Sequence, residues 1–415
     1  MDINKIDKME HLDEDSNKVC DDLEDSYNDD VEDEKEENSS EESYTLHSEI
    51  GSSSLTAVNV CKRKAGNKLT SFQQKKVEIK DIVKENVLPR LPAKSLARFR
   101  CVSMEWDQKI KSPLLALHQC HFFRDLSGYF CQYDGWQNTF LTLNNDAYGV
   151  PSPSLTFLPH FFNLRSSSNG LLLCQGRDDN NSYYICNPAT REWKQLPDPS
   201  YYHGKEPAII LAFEPSLLNM NADYQLICAV PLHGEQIVCF ELYSSETKSW
   251  SSSNTICVEL GGVEFTGNGF YMKGLAYWET TRKEVLAFDL KNENYEIISL
   301  PPKSPRGGVL TQMRDELCYI GISSDTKNEY SIMIYGGMDL ALKQKIDLQL
   351  EQAPYGIGRY RVLPCVDDGI VMFLVGSFIY SYSLSDQRAE LISKEGISSL
   401  GATYLPYVNS LVYVA

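Results

Sequence analysis

The sequence has no Cys-x-x-Cys pair, no apolar run as long as the ~18 residues of a membrane span, and none of the short nucleotide or hydrolase motifs. Each absence removes a class. Twelve cysteines are scattered singly from Cys20 to Cys365, so they read as small buried hydrophobes of a reducing compartment, not as a disulfide framework. The tightest cluster, His118-x-Cys120-His121, is too compressed for zinc spacing. Gly-x-x-x-x-Gly-Lys, Gly-x-Gly-x-x-Gly, Gly-x-Ser-x-Gly and His-Glu-x-x-His are all missing, which leaves no catalytic constellation, metal set or cofactor motif to assign. No membrane partner is expected. The first eighteen residues lack the apolar core of a secretion signal, and the expected location is the nucleus, the cytoplasm or both.

Basic charge is also scarce, but unevenly. The net charge is −18, and residues 1–50 hold twenty acidic against four basic residues. The other 365 hold thirty-seven against thirty-five, so the body is near neutral and offers no electrostatic case for nucleic acid. The acidic, Ser/Asn-rich stretch 1–55 is expected to be a disordered tail. Residues 56–76 form a basic linker, in which Lys62-Arg63-Lys64 and Lys75-Lys76 are spaced as in a divided nuclear-import signal. With 42% hydrophobic and 11% aromatic residues, the rest has enough apolar material for a large core.

What is present falls into two textures. In residues 77–122, Ile79, Ile82, Val83, Val87 and Leu91 place an apolar stripe on one helix, and Leu96, Phe99 and Val102 continue it. Pro92 suits the first turn of a second helix, Ser103 the N-cap of a third that carries Trp106, and Ser112-Pro113 the start of a fourth. Pro89 should end the first helix early. So few short helices cannot bury all these faces among themselves, and another part of the chain must cover them.

From 123 to 415 the pattern changes to short alternating runs ended by turn residues, an all-β signature. Strand–turn–strand units recur at SYYICNPATREWKQLPDP, CFELYSSETKSWSSS and VLAFDLKNENYEIISLPP. They place Trp193, Trp250 and Tyr295 in one position, 57 and 45 residues apart, and weaker copies follow at 330–348 and 380–392. The period suits propeller blades, five to six of them, with the C-terminal run closing the ring. A β-sandwich would be oversized at this length. A repeated aromatic is expected to pack each blade on its neighbour, not to bind.

Leu91-Pro92-x-Lys94-Ser95-Leu96-x-x-Phe99-Arg100-x-Val102-Ser103-x-x-Trp106 resembles the F-box, the helical module that docks on the Skp adaptor of cullin–RING ubiquitin ligases. It departs where the family opens with Leu-Pro and this chain has Ile79-Lys80. RSSSNGLLLCQGR, ICNPATREWKQLP and FEPSLLNMNADYQLICA resemble the C-terminal domains of plant F-box proteins of the F-box-associated or kelch-like type. The Gly-Gly doublets hold no constant phase, so kelch is an approximate label. The resemblance implies a non-catalytic substrate-recognition subunit of an SCF-type ligase. Its adaptor face would be Val83, Val87, Leu88, Leu91, Pro92, Leu96 and Val102, with Trp106 as packing, and its partners the Skp adaptor, cullin and RING subunits and an unidentified protein substrate on the propeller. The alternative is a propeller that binds its partner independently of any ligase, with the helices as a cap. A kelch-like copper oxidase would need two histidines beside Tyr and Cys ligands. His160, His203 and His233 stand at unrelated blade positions, and each is expected in a loop or on the surface.

Overall fold

The computed structural model describes residues 79–414 apart from 134–136, 144–152, 160, 178–181, 217–218, 220, 233, 306, 325–328, 338, 351–358, 365–368, 395 and 397–401. The acidic tail, the basic linker, His160, His233 and the acidic pairs at 178–179 and 367–368 lie outside the described residues.

The helical region opens with α1 (Ile79–Ile82), which passes into a wide π turn at Val83–Val87 and a tight 3₁₀ turn at Leu88–Arg90. Pro89 thus rewinds the helix instead of ending it. Its missing N–H cannot reach back four residues, so the Leu88 N–H bonds five residues back to Val83 O and Leu91 N–H only three back, to Leu88 O at 3.1 Å. Pro92, expected in the first turn of α2 (Ala93–Phe99), stands just outside it with an extended ψ of 145°. Ser103 caps α3 (Met104–Ile110) by accepting the Trp106 N–H at 3.2 Å, and Ser112 caps α4 (Pro113–Phe122) by accepting that of Leu115 at 3.3 Å.

The chain then builds six sheets around a ring. Blade A begins with β1 (Gly128–Tyr133) and β2 (Gln137–Thr142). Blade B is β3 (Phe162–Ser168), β4 (Leu171–Gly176), β5 (Tyr183–Asn187) and β6 (Glu192–Gln195). Blade C is β7 (Ala208–Ala212), β8 (Gln225–Leu232), β9 (Ile237–Ser244) and β10 (Ser249–Cys257). Blade D is β11 (Phe265–Met272), β12 (Leu275–Thr280), β13 (Glu284–Asp289) and β14 (Asn294–Ser299). Blade E is β15 (Val309–Met313), β16 (Glu316–Ser324), β17 (Tyr330–Gly336) and β18 (Ala341–Leu348), and blade F is β19 (Tyr360–Val362), β20 (Ile370–Val375), β21 (Phe378–Ser383) and β22 (Arg388–Ser393). The C-terminal strand β23 (Thr403–Tyr407) returns to pair antiparallel with β1, so the two ends of the ring share one sheet. This is the expected closure, and the blades number six.

Every seam between neighbouring blades has its own apolar filling. Phe130, Leu164, Leu172, Tyr184 and Tyr407 fill the A–B seam, and Tyr129, Met372, Leu374, Ile379 and Tyr404 the F–A seam. Strands whose side chains face neighbours on both sides bury nearly every residue, as in β4 and β7, while the outer strand β6 is largely exposed. In blades B to F the turn into the outer strand ends on a non-glycine residue with positive φ: Arg191, Lys248, Glu293, Leu340 and Gln387. Side-chain acceptors steady several of these turns. Asn187 accepts the Ala189 N–H at 2.8 Å, and Asp289 that of Lys291 at 2.8 Å.

Candidate interaction surfaces of the helices and the ring

The helices divide into an inner and an outer part. Leu88 and Leu96 are fully buried and form the module's small core with Ile110 and Leu115, on which Leu91, Trp106 and Leu411 pack. Leu88 and Leu96 therefore have no surface to offer a partner, which removes them from the expected docking face. Their burial follows from the helices being too short to enclose anything else. Trp106 is a packing residue, edge-on to Phe99 at 5.7 Å. Ion pairs tie α3 to its neighbours: Lys84 to Glu105, Lys109 to Glu85 at 2.7 Å, and Arg100 to Asp107 at 2.8 Å.

Of the other expected docking residues, Val83, Leu91 and Pro92 are half-buried, whereas Val87 and Val102 are 43% and 61% exposed. The first and last residues of α1, Ile79 and Ile82, and Phe99 and Met104 around the α2–α3 turn are exposed as well. The helical stripe signalled Ile79, Ile82 and Phe99. Nothing in the periodicity marked Met104, which sits in the first position of a capped helix.

α4 is different in kind. Leu117 and Cys120 belong to the core of the B–C seam, with Val412 of the C-terminal segment. The buried Gln119 amide bonds that segment in both directions, donating to Asn409 O at 3.4 Å and accepting from the Leu411 N–H at 3.1 Å. Cys120 donates to Asn169 O at 3.1 Å, and His121 Nδ1 lies 3.0 Å from Pro215 O. Asn169, Pro215 and Asn409 all follow the ends of inner strands (β3, β7 and β23), so the helices sit on the face of the ring where those strands end. Gly170 lies there with φ +96°, and a Cβ would come within 1.9 Å of Ser410 Oγ, which explains the Asn-Gly turn. Burial pushes the Cys120 thiol up to about 12, and His118 stacks edge-on to Phe122. The compressed His/Cys cluster is thus occupied with packing. Among the described residues no three His, Cys, Asp or Glu side chains gather as a metal site.

His203 lies in the loop between β6 and β7, as expected of it, but is buried there. Its Nε2 is 2.8 Å from the buried Glu241 carboxylate and its Nδ1 3.0 Å from the Tyr183 hydroxyl. Ser200 and Tyr201 N–H groups donate to the same carboxylate at 2.7 and 3.2 Å. Burial opposes the Glu241 charge, but the His203 contact and these two amides hold its pKa below the ordinary value. The chain of contacts clamps the linker from blade B to blade C. Its histidine was legible in the sequence and its partners, 20 and 38 residues away, were not.

The register recurs in the four-stranded blades, and an aromatic fills it in blades B, C and D. Trp193, Trp250 and Tyr295 are the second residues of β6, β10 and β14, paired with Cys186, Tyr243 and Phe288. Trp250 is half-buried against Tyr183, Tyr243 and His203 and donates its indole N–H to Pro197 O at 2.8 Å. Trp193 is 42% exposed and meets Tyr184 at 6.1 Å.

Comparison with known proteins agrees with this architecture. Residues 150–349 match the family described as F-box protein At3g26010-like, beta-propeller. F-box protein At5g49610 of Arabidopsis thaliana is 27% identical over 242 residues, which cover 55% of this chain and 66% of the relative. F-box protein At5g03970 of the same plant is 27% identical over 239 residues, covering 52% of this chain and 56% of the relative. For the putative F-box protein At3g23260, also of Arabidopsis thaliana, the identity is 24% over 365 residues, 80% of this chain and 97% of that one. The match thus spans between about half and two thirds of the first two relatives. With its helical module, its six-bladed ring and these relatives, the chain is similar to F-box proteins, and its ring to the β-propeller of that family.

Proposed function

We propose that the chain is a substrate-holding subunit of an SCF-type cullin–RING ubiquitin ligase. Its helices dock on a Skp-family adaptor, and through it on the cullin and RING subunits, while the ring holds a protein substrate. The observation that carries this is the exposed apolar set Ile79, Ile82, Val87, Phe99, Val102 and Met104 on a module anchored by α4 to a closed ring. Such residues are stable in water only at the cost of solvation that a partner would relieve. The relatives' names as F-box proteins support the same reading. Ubiquitin transfer then proceeds by proximity: substrate lysines are held at high effective concentration, and this chain supplies no reacting group. The proposed locations are nucleus and cytoplasm.

The test is Val87→Asp with Val102→Asp in the full chain, against a purified Skp-family adaptor. Both residues are exposed, so the double variant keeps its melting temperature and loses adaptor binding. Undiminished binding by the folded variant sinks the docking face. Leu91→Asp with Leu96→Asp would not report docking, because a carboxylate at the fully buried Leu96 breaks the module itself.

One observation favours the rival reading, a propeller that works without a ligase. α4 is part of the B–C core, as a structural cap would be. Deleting 79–111 separates the two. An adaptor subunit keeps its ring and loses adaptor capture, whereas a cap-dependent ring unfolds.

A further inference from the structure

The outer strands repeat one register five times. Their second residues are Trp193, Trp250, Tyr295, Leu342 and Ala389, paired with Cys186, Tyr243, Phe288, Tyr335 and Tyr382. Each follows a residue with positive φ, so the turn geometry confirms the alignment. The side chain at this position points toward the preceding blade. Trp250 reaches Tyr183 and His203 on the blade B side, and the Tyr295 hydroxyl donates to Glu259, just past blade C, at 2.7 Å. In blade F that position is a methyl group.

The consequence is a groove. Between β18 and the β21–β22 hairpin lies a cavity of about 680 Å³, with Ile346, Leu350, Tyr382 and Ala389 among its walls and Lys345 and Arg388 at its rim. Tyr382, 7% exposed in the E–F core, is paired with Ala389 and not with a ring, so only its edge reaches the groove. In blade C the equivalent residue, Tyr243, has Trp250 at 5.4 Å, and such aromatic pairs add attraction beyond the area they bury. β18 and β22 are both outermost in their sheets, so an extended chain entering here also runs beside two strand edges.

We propose that the E–F groove binds a tryptophan or tyrosine side chain carried on an extended segment of the protein that the ring holds. The chemistry is copied from the molecule itself, in which three of the five equivalent positions are filled by Trp, Trp and Tyr. The site deepens the substrate-holding reading by naming what the ring recognises. It does not depend on the adaptor face.

The experiment uses the full chain and a displayed library of short extended peptides, with and without a single Trp or Tyr. The wild-type chain selects the aromatic peptides. Ala389→Trp folds with an equal or higher melting temperature, because the new ring seats on Tyr382, and it weakens the selected peptides by at least about tenfold. Ala389→Gly leaves their affinity unchanged. Ala389→Leu, which imports the side chain blade E already carries, weakens them less than Trp and keeps the comparison readable if Trp does not fold. Selection without aromatic preference overturns the proposal, as does unchanged affinity in Ala389→Trp. A fall in melting temperature for both the Trp and Leu variants also overturns it, since the gap would then already be closed by the chain itself. Adaptor capture is read on the same preparations. Its absence in the wild type counts against the ligase reading alone, and loss of the peptides alone counts against the groove.

Discussion

Trp193 and Trp250 occupy one position of the repeat, the second residue of an outer strand after a left-handed turn residue. Trp250 faces blade B, which has four strands and a linker folded against it, and three rings and a carbonyl receive the indole. Trp193 faces blade A, which among the described residues has three strands, and it is left 42% exposed. The same sequence signal therefore has two energetic values, and the preceding blade sets them. Register is a property of the strand that carries the residue, while burial is a property of the neighbour.

The sharpest way to break this contrast is to remove the clamp that completes the Trp250 seam. Glu241→Ala leaves the Ser200 and Tyr201 amides and His203 Nε2 without their shared acceptor. Stranding buried donors and a histidine in this way should cost about 4 kcal/mol, read as a lowered midpoint in urea unfolding. A loss under about 1 kcal/mol would show that the linker relaxes into water. The acid side gives a second reading. Because the folded-state pKa of Glu241 is depressed, its charge stabilises above the unfolded carboxylate range, and that contribution is lost as pH falls through the folded value. The wild type should lose stability in acid more steeply than Glu241→Ala.

Next in size is Trp250→Ala, expected to cost about 3 kcal/mol, the lower end for aromatic truncation because the ring is half-buried. A variant of wild-type stability would mean that the Tyr183, Tyr243 and His203 contacts carry no net packing energy.

A third seam carries a charge where the B–C seam carries a ring. Burial pushes Glu279 up to about 7, against the Tyr319 and Thr266 hydroxyls and Lys283, and Tyr319 Oη lies 3.3 Å from its carboxylate. Here the folded value is raised, so the folded state binds the extra proton between the unfolded carboxylate range and pH 7, and stability falls as pH rises across that window. Glu279→Gln should remove this slope and gain on the order of 2 kcal/mol at pH 8. An unchanged pH profile of the melting temperature in that variant would exclude Glu279 as the titrating group.

The parts of the fold written in local patterns were legible in the sequence. Ser103 and Ser112 announced two helix starts because an N-cap is a single-residue signal. Trp193, Trp250 and Tyr295 announced the blades because a repeat needs only self-comparison, and the C-terminal run announced closure for the same reason. What failed were judgements of depth. Leu88 and Leu96 share a helical stripe with Val87 and Val102, and no spacing tells which side of a short helix another helix covers. His203 is the loop residue it looked like, but its burial was not legible because Tyr183 and Glu241 come from other strands. Pro89 looked like a terminator because a 3₁₀ turn tolerates a missing N–H that an α-turn does not. The E–F groove is visible in the sequence only as an alanine in the fifth copy of the repeat.

The smallest expected effect is the one that best separates register from burial. Were position alone decisive, Trp193→Ala would cost as much as Trp250→Ala. The Trp193 ring keeps close to half its surface in water and has one described aromatic neighbour, Tyr184, so its truncation should cost about 1 kcal/mol. Nothing polar is stranded by the change, and the β5–β6 pairing through Cys186 and Trp193 is carried by backbone. The A–B seam keeps Phe130, Tyr184 and Tyr407. The double variant provides the control. The two rings lie in different seams, A–B and B–C, and share no described contact, so their costs should add to within about 0.5 kcal/mol. A Trp193→Ala loss as large as that of Trp250→Ala, or strong coupling between the two, would mean that blade A covers Trp193 more fully than its three described strands do, and that the outer positions of neighbouring seams act as one layer.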